Sequence, residues 1–544
     1  MRNWGLILSA MATVAAARAE MPARHINDQL KDWEELRYGA FLHYNVNTYG
    51  PTDDNFDDLF RGDCRNADVF APSQLDVGSW IRGFKAAGMK YAVLTTRHSG
   101  GYLLWNSATS DYSSPHSASV RKDLVAEFVI ECRKHGMAPG LYYLMAGGHH
   151  DTLSCPIAGR KVSKADVLTQ LTELATHYGP IPYFWIDMMD FRPIPALGDA
   201  EEITTQEIYD LLKRLQPRTL VHFNQHTQDG SRIDYFPTDI VNGEETTPRS
   251  DGYDPARNHL NVQPRNSYDR STFDNSSYEA GKYYLPFEYS MTAQVAPGGR
   301  RTTPAGTFHN TLWFTRAVTH SESARNLYVN AHEAYARGAA NVLVASAPDQ
   351  SGRLRDEDAA ELKILGNLIR ARASLAIIRD SLVSRVQNLA TLQRGVLESH
   401  CRLTTASQAL AVTKLARFRA FGNHEHHTLE VRSADGTTLA VAELDSATAV
   451  TDLNGFQYAP VKKPLELAPN TVYDLVSSEH PEGDASYSGA RLRTDALGQL
   501  AECAGPLNLT AKVAAEKEDP ILGHWQLAGT GTELVADGSV HGNT

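Results

Sequence analysis

Cysteine is scarce in this chain, five in 544 residues, and Cys64, Cys132, Cys155, Cys401 and Cys503 stand at no spacing that metal sites use. That excludes a zinc module and a small disulfide scaffold. Cys64 and Cys155 lie in loop-like sequence and leave room for one disulfide without fixing its partner. Clustered positive charge is missing as well. The formal net charge is −12 and the pI near 6.0, which speaks against nucleic acid as the partner and for a neutral ligand. Beyond the N-terminus no apolar run is long enough to cross a bilayer. No Gly-rich phosphate loop follows the first strand-like run, and that run carries no His-x-His. Neither a metal nor an organic cofactor is expected.

What is present begins with an address. Arg2 precedes an apolar stretch from Trp4 to Ala17, and Ala17-Arg18-Ala19 offers the small residues that a signal peptidase requires. Residues 1–19 are therefore read as a signal peptide, and the mature protein is expected to be secreted or periplasmic. The rest, 42% hydrophobic and 21% charged, is ordinary for a globular protein and too long for one hydrophobic core.

From residue 33 to 375 short apolar runs alternate with amphipathic segments. YGAFLHYNV, KYAVLTTRH, APGLYYLMA, YFWIDMM, LVHFN and NVLVAS read as buried strands. QLDVGSWIRGFKAAG, SVRKDLVAEFVIECRKHG, SKADVLTQLTELATHYG and TTQEIYDLLKRLQ read as helices between them, with Gly88, Gly136 and Gly179 as stops. This cadence predicts parallel βαβ units, and the length favours a (β/α)8-like barrel over residues 20–378. After residue 380 short alternating strands with turn signals predict a β-sandwich, residues 379–544.

Barrels of this kind place their chemistry at the C-terminal ends of the strands. His43, His98, Tyr142, Trp185 and Asp187 occupy such exits. Period-two geometry puts Trp185 and Asp187 on one face of their strand, and likewise Phe41 and His43 on one face of theirs. A lone strand-end His is more often a structural residue. The set suits a sugar, whose hydroxyls need polar partners and whose C–H face packs on an indole.

RYGAFLHYNVNTYG, KYAVLTTRHSGGYLLWNSATSDY, KDLVAEFVIECRKHGMAPGLYY, YFWIDMMD and the closing GAANVLVASAPDQSGRLRDEDAAELKILGNLIRAR resemble, in order and spacing, the α-L-fucosidase family of glycoside hydrolases. The resemblance implies a retaining mechanism with a carboxylate nucleophile and a second carboxyl group as acid/base. Asp187 matches the nucleophile. His43 and His98 would hold sugar hydroxyls, with Tyr142 and Trp185 lining the pocket of a fucosylated glycan. For the acid/base, Glu288 in KYYLPFEYSMT is favoured, and Glu244 and Glu245 in DIVNGEETT are its rivals.

The chain also departs from the family pattern. His98-Ser99-Gly100-Gly101 stands where two adjacent histidines and Asp-Gly are usual, and PTDDNFDDLFRGDC lacks the usual Glu-Trp pair. Such losses redirect sugar specificity. Two other classes stay open: a metal-dependent barrel hydrolase using His43, His98 and Asp187, and a glycan-binding protein on an inactive scaffold. In the C-terminal part, His424, Glu425, His426 and His427 read as an edge or turn rather than a metal cluster, since strand neighbours alternate faces. Asn275-Ser276-Ser277 and Asn508-Leu509-Thr510 are glycan acceptor sequences.

Overall fold

The computed structural model describes residues 26–49, 67–98, 101–145, 163–187, 203–255 except 227 and 232, 285–315 except 304 and 305, and, with short gaps, 319–514. The proposed signal peptide, Cys64, Cys155, Ser99, Gly100, residues 51–64 and the Asn275 sequence lie outside the described residues.

Each early helix forms where the sequence supplies both a start and a stop. Helices α2 (Val77–Ala86), α3 (Leu124–Lys134), α4 (Lys164–Thr176) and α5 (Thr205–Leu215) are capped by the side chains of Asp76, Asp123, Ser163 and Thr204, each accepting a backbone N–H of the first turn. Gly88, Gly136 and Gly179 follow with φ of +82°, +62° and +69°, the left-handed region where a side chain would be strained.

Those helices connect parallel strands β1 (Tyr38–Leu42), β2 (Tyr91–Arg97), β3 (Ala138–Leu144), β4 (Tyr183–Asp187) and β5 (Leu220–Phe223). Strands β6 (Val241–Glu244) and β7 (Phe287–Thr292) follow. A hairpin of β8 (Gln294–Thr303) and β9 (Gly306–Thr311) comes next, then the short β10 (His320–Ser321), helix α6 (Ala324–Ala336), β11 (Ala339–Ala345) and helix α7 (Asp356–Ala371). The eight-stranded sheet runs β5-β4-β3-β2-β1-β11-β7-β6, and a parallel bridge between His222 and Ile240 closes it into a barrel. That seam is stitched by Asp239, whose carboxylate accepts the Val221 N–H at 2.8 Å and pairs with Lys213 at 2.6 Å.

Two of the eight strands, β6 and β7, fall outside the runs that read as strands. β6 is four residues, Val-Asn-Gly-Glu, too short and polar to show a pattern. The barrel interior is a compact cluster that includes Phe41, Tyr91, Val93, Tyr142, Tyr183, Trp185, Leu220 and Leu343. Helix α1 (Ile26–Glu34) plugs the N-terminal end, its Trp33 packing on the rings of Tyr91 and Tyr183 at 6.5 and 5.9 Å. A larger shell, with Trp80, Phe84, Phe128, Leu171 and Leu212, joins helices to the outside of the sheet.

Beyond α7 the chain forms antiparallel sheets. A five-stranded sheet and a three-stranded sheet enclose a separate core with Leu403, Val412, Leu429, Leu475 and Leu509. Residues 398–405 alternate exposed and buried along their length, as a one-face-buried strand must. Among the described residues a disulfide joins Cys401 to Cys503, while Cys132 is a buried free thiol. His427 is buried and His426 exposed, the alternation expected of strand neighbours. Asn508, in the second acceptor sequence, is 1% exposed, and its amide donates to Ser381 Oγ and Tyr458 Oη at 2.8 and 3.0 Å.

Candidate active site

Five strand ends converge at the barrel mouth. His43 directly follows β1, His98 follows β2, Asp187 ends β4, Asn224 follows β5 and Glu244 ends β6. Asp187 is held from two sides. Tyr142, from β3, donates its phenol to Oδ2 at 2.6 Å, and Asn224 donates its amide to Oδ1 at 2.9 Å. The same amide nitrogen donates to Glu244 Oε2, also at 2.9 Å.

The orientation of Asn224 is over-determined. Its Oδ1 accepts the His226 N–H and the Asn242 amide, both at 2.8 Å, so both hydrogens of its Nδ2 face the two carboxyl groups. Two 2.9 Å bonds to one nitrogen hold the Asp187 and Glu244 oxygens no farther apart than twice that length. Retaining glycosidases separate their carboxyl groups by about 5–5.5 Å, and inverting ones by about 6.5–9.5 Å. His226, at φ +56°, brings its Nδ1 to 3.8 Å from Glu244 Oε2.

Burial raises the Asp187 carboxyl above the ordinary aspartate value. His226 opposes that shift, Glu244 adds to it, and the bonds from Tyr142 and Asn224 oppose it. The opposing donors favour the ionised form that a nucleophile needs. His43 and His98 are kept neutral: burial holds His43 well below the usual histidine range and His98 down to about 3. A neutral imidazole both donates and accepts, which suits a hydroxyl. The His43 Nδ1 is buried with no hydrogen-bond partner among the described residues.

Aromatic rings build the walls. Trp185 stacks on Tyr142 at 5.3 Å and 27°, and Tyr142 lies nearly parallel to His98 at 5.6 Å. Trp313 and Phe314 add an outer wall against His43, at 5.1 and 5.4 Å, and Phe314 also meets His98 at 5.0 Å. These two follow the β8–β9 hairpin in sequence that carries no periodic signal, so nothing in the sequence marks them. Asn224 was missed although LVHFN reads as a strand; the polar-exit rule that selects Asp187 selects Asn224 equally.

The three glutamates go to different places. Glu244 faces Asp187 through Asn224. Glu245, at φ +51°, turns away, and its carboxylate accepts the Thr292 N–H of β7 at 2.7 Å; burial pushes it up to about 8. Glu288 is the second residue of β7, level with Asn242 and below the mouth. Its contacts are with Tyr91 and Tyr183, the first residues of β2 and β4, and with the Trp185 indole N–H.

A family model described as Alpha-L-fucosidase matches residues 4–373. Among curated proteins, α-L-fucosidase 1 of Arabidopsis thaliana is 28% identical over 200 residues, 36% of this chain and 36% of that protein. The tissue α-L-fucosidase of Bos taurus is 34% identical over 113 residues, 20% of this chain and 24% of that protein. The matched stretch thus spans about a third or less of the length of these relatives. Among solved structures, α-L-fucosidase isoenzyme 1 from Paenibacillus thiaminolyticus is 20% identical with a TM-score of 0.47, covering 83% of this chain and 99% of that one.

Proposed function

The chain belongs to the α-L-fucosidase family of glycoside hydrolases, and on that premise we propose that it is a secreted or periplasmic retaining exo-glycosidase that releases α-L-fucose, or a closely related sugar, from glycans. Asp187 attacks the anomeric carbon while the second carboxyl group protonates the departing glycosidic oxygen. That group, now ionised, then takes a proton from water, whose oxygen displaces Asp187.

The second carboxyl group in this proposal is Glu244, in place of the Glu288 favoured on sequence. The observation that carries the reading is the shared Asn224 amide, which keeps one oxygen of Glu244 and one of Asp187 within twice 2.9 Å of each other, closer than the separation of an inverting pair. Glu288 is instead fully buried below the mouth, with its oxygens bonded to Tyr91, Tyr183 and Trp185. His43 and His98 hold sugar hydroxyls, and Tyr142 and Trp185 line the pocket. The Cys401–Cys503 disulfide supports export to an oxidising compartment.

The test is hydrolysis of an aryl α-L-fucoside by wild type, Asp187→Gly and Glu244→Ala. Asp187→Gly is expected to lose at least ~10³-fold in turnover. Glu244→Ala should lose most on substrates with a poor leaving group, and azide should restore its turnover. Equal activity of wild type and Asp187→Gly would sink the mechanism. An inactive wild type that still binds fucosylated glycan would favour a lectin-like role, the reading that the Ser99 departure motivates. Activity abolished by excess chelator would instead point to metal-dependent hydrolysis.

A further inference from the structure

The barrel interior holds a second buried carboxyl group that this chemistry does not use. Glu288 is 0% exposed. Its oxygens accept from neutral donors: Tyr91 Oη at 2.8 Å, Tyr183 Oη at 2.7 Å and the Trp185 indole Nε1 at 3.1 Å. Burial pushes it up to about 7. An apolar side chain would fill this place without the desolvation cost, so what the carboxyl group contributes is direction.

We propose that Glu288 is a positioning residue of the sugar pocket: it fixes the plane of the Trp185 indole and, through the ring stacked on that indole, the phenol that holds Asp187. The inference rests on the reading of Asp187 as nucleophile. An indole has one polar atom, so anchoring Nε1 selects one of its two ring orientations. Phe41 at 5.2 Å and His222, edge-on at 4.8 Å and 80°, close the remaining sides. Tyr142 stacks on the indole and donates to Asp187 Oδ2. From Glu288 to the nucleophile the path is one hydrogen bond, one stacked pair and one hydrogen bond.

His222 completes the anchor. Its Nδ1 lies 2.8 Å from Tyr183 Oη. The single phenolic hydrogen of Tyr183 is directed to Glu288, so neutral His222 carries its proton on Nδ1 and donates to the phenol oxygen. The Tyr183 hydroxyl thereby both donates, to Glu288, and accepts, from His222.

The experiment compares Glu288→Gln, Glu288→Leu, Trp185→Phe and the double variant Trp185→Phe/Glu288→Gln. Turnover per folded enzyme is measured on two aryl α-L-fucosides, one with a good and one with a poor leaving group, with and without azide. Glu288→Gln, which keeps an acceptor, is expected to lose about tenfold and Glu288→Leu about a hundredfold. Both losses should be equal on the two substrates and unaffected by azide. Trp185→Phe should lose as Glu288→Gln does, and the double variant should lose little more.

A loss confined to the poor leaving group and restored by azide would make Glu288 the proton donor and overturn the inference. Unchanged turnover with a lower Tm would reduce Glu288 to a structural role, and additive losses in the double variant would disconnect it from the indole; either overturns it while leaving the proposed function intact. An inactive wild type would defeat the functional reading and this inference together, and it is read from the unaltered protein alone.

Discussion

Asn224 joins the two carboxyl groups, so its removal should be felt in the pH profile before it is felt in stability. As the proposed nucleophile Asp187 would work ionised, and its carboxyl is already raised by burial. The Asn224 bond favours the ionised form, so Asn224→Ala raises that carboxyl further. The acid limb of activity should then move toward neutrality, with a turnover loss of about 10²-fold at the optimum. Measured pH profiles of kcat/KM check this, and an unmoved acid limb would count against it. Asp187 itself was legible in sequence as a candidate, because a carboxylate leaving an apolar strand has few structural reasons to exist, and the structure puts it at a strand end of the barrel mouth. The choice among Glu244, Glu245 and Glu288 was not. Each follows apolar sequence; Glu244 and Glu288 are separated by their height on β6 and β7, set by the pairing of Asn242 with Glu288 and of Glu244 with Ser290, and Glu245, just past β6, turns away at φ +51°.

Strand β6 delivers Glu244 by a backbone that passes very close to its surroundings. A Cβ on Gly243 would collide with the carbonyl oxygens of Thr246 and Gln228. Gly243→Ala is expected to displace the end of β6 and cost about 1–3 kcal/mol in stability. Its activity loss should exceed what the unfolded fraction explains, read from urea titration beside kinetics. Gly39 on β1 plays the matching part below, since a Cβ there would meet the ring of Tyr91 that donates to Glu288. The helices were legible because caps and stops are local. β6 was not, because a four-residue strand with a central glycine is defined by its neighbours rather than by its own pattern.

The two parts of the molecule are stabilised by different means. The barrel buries large aromatic and aliphatic side chains on both faces of its sheet, whereas the antiparallel part adds a cross-link between residues 102 apart in sequence. A loop of that length corresponds to about 4.7 kcal/mol of chain entropy. Cys401→Ser should therefore lower the unfolding midpoint of the C-terminal sheets by a stability change of that order, and calorimetry with and without reductant tests it. An equal midpoint in both conditions would contradict it. Asn508 carries a production consequence. In a host that attaches oligosaccharide to Asn-x-Thr while the chain is still being translocated, the sugar would reach Asn508 before the fold hides it. A bulky glycan cannot enter the site where that amide meets Ser381 and Tyr458, so each modified molecule would be diverted to quality control rather than released. Asn508→Gln would not restore yield unless the longer amide could still reach both partners, whereas Thr510→Val would remove the acceptor signal and leave the amide in place.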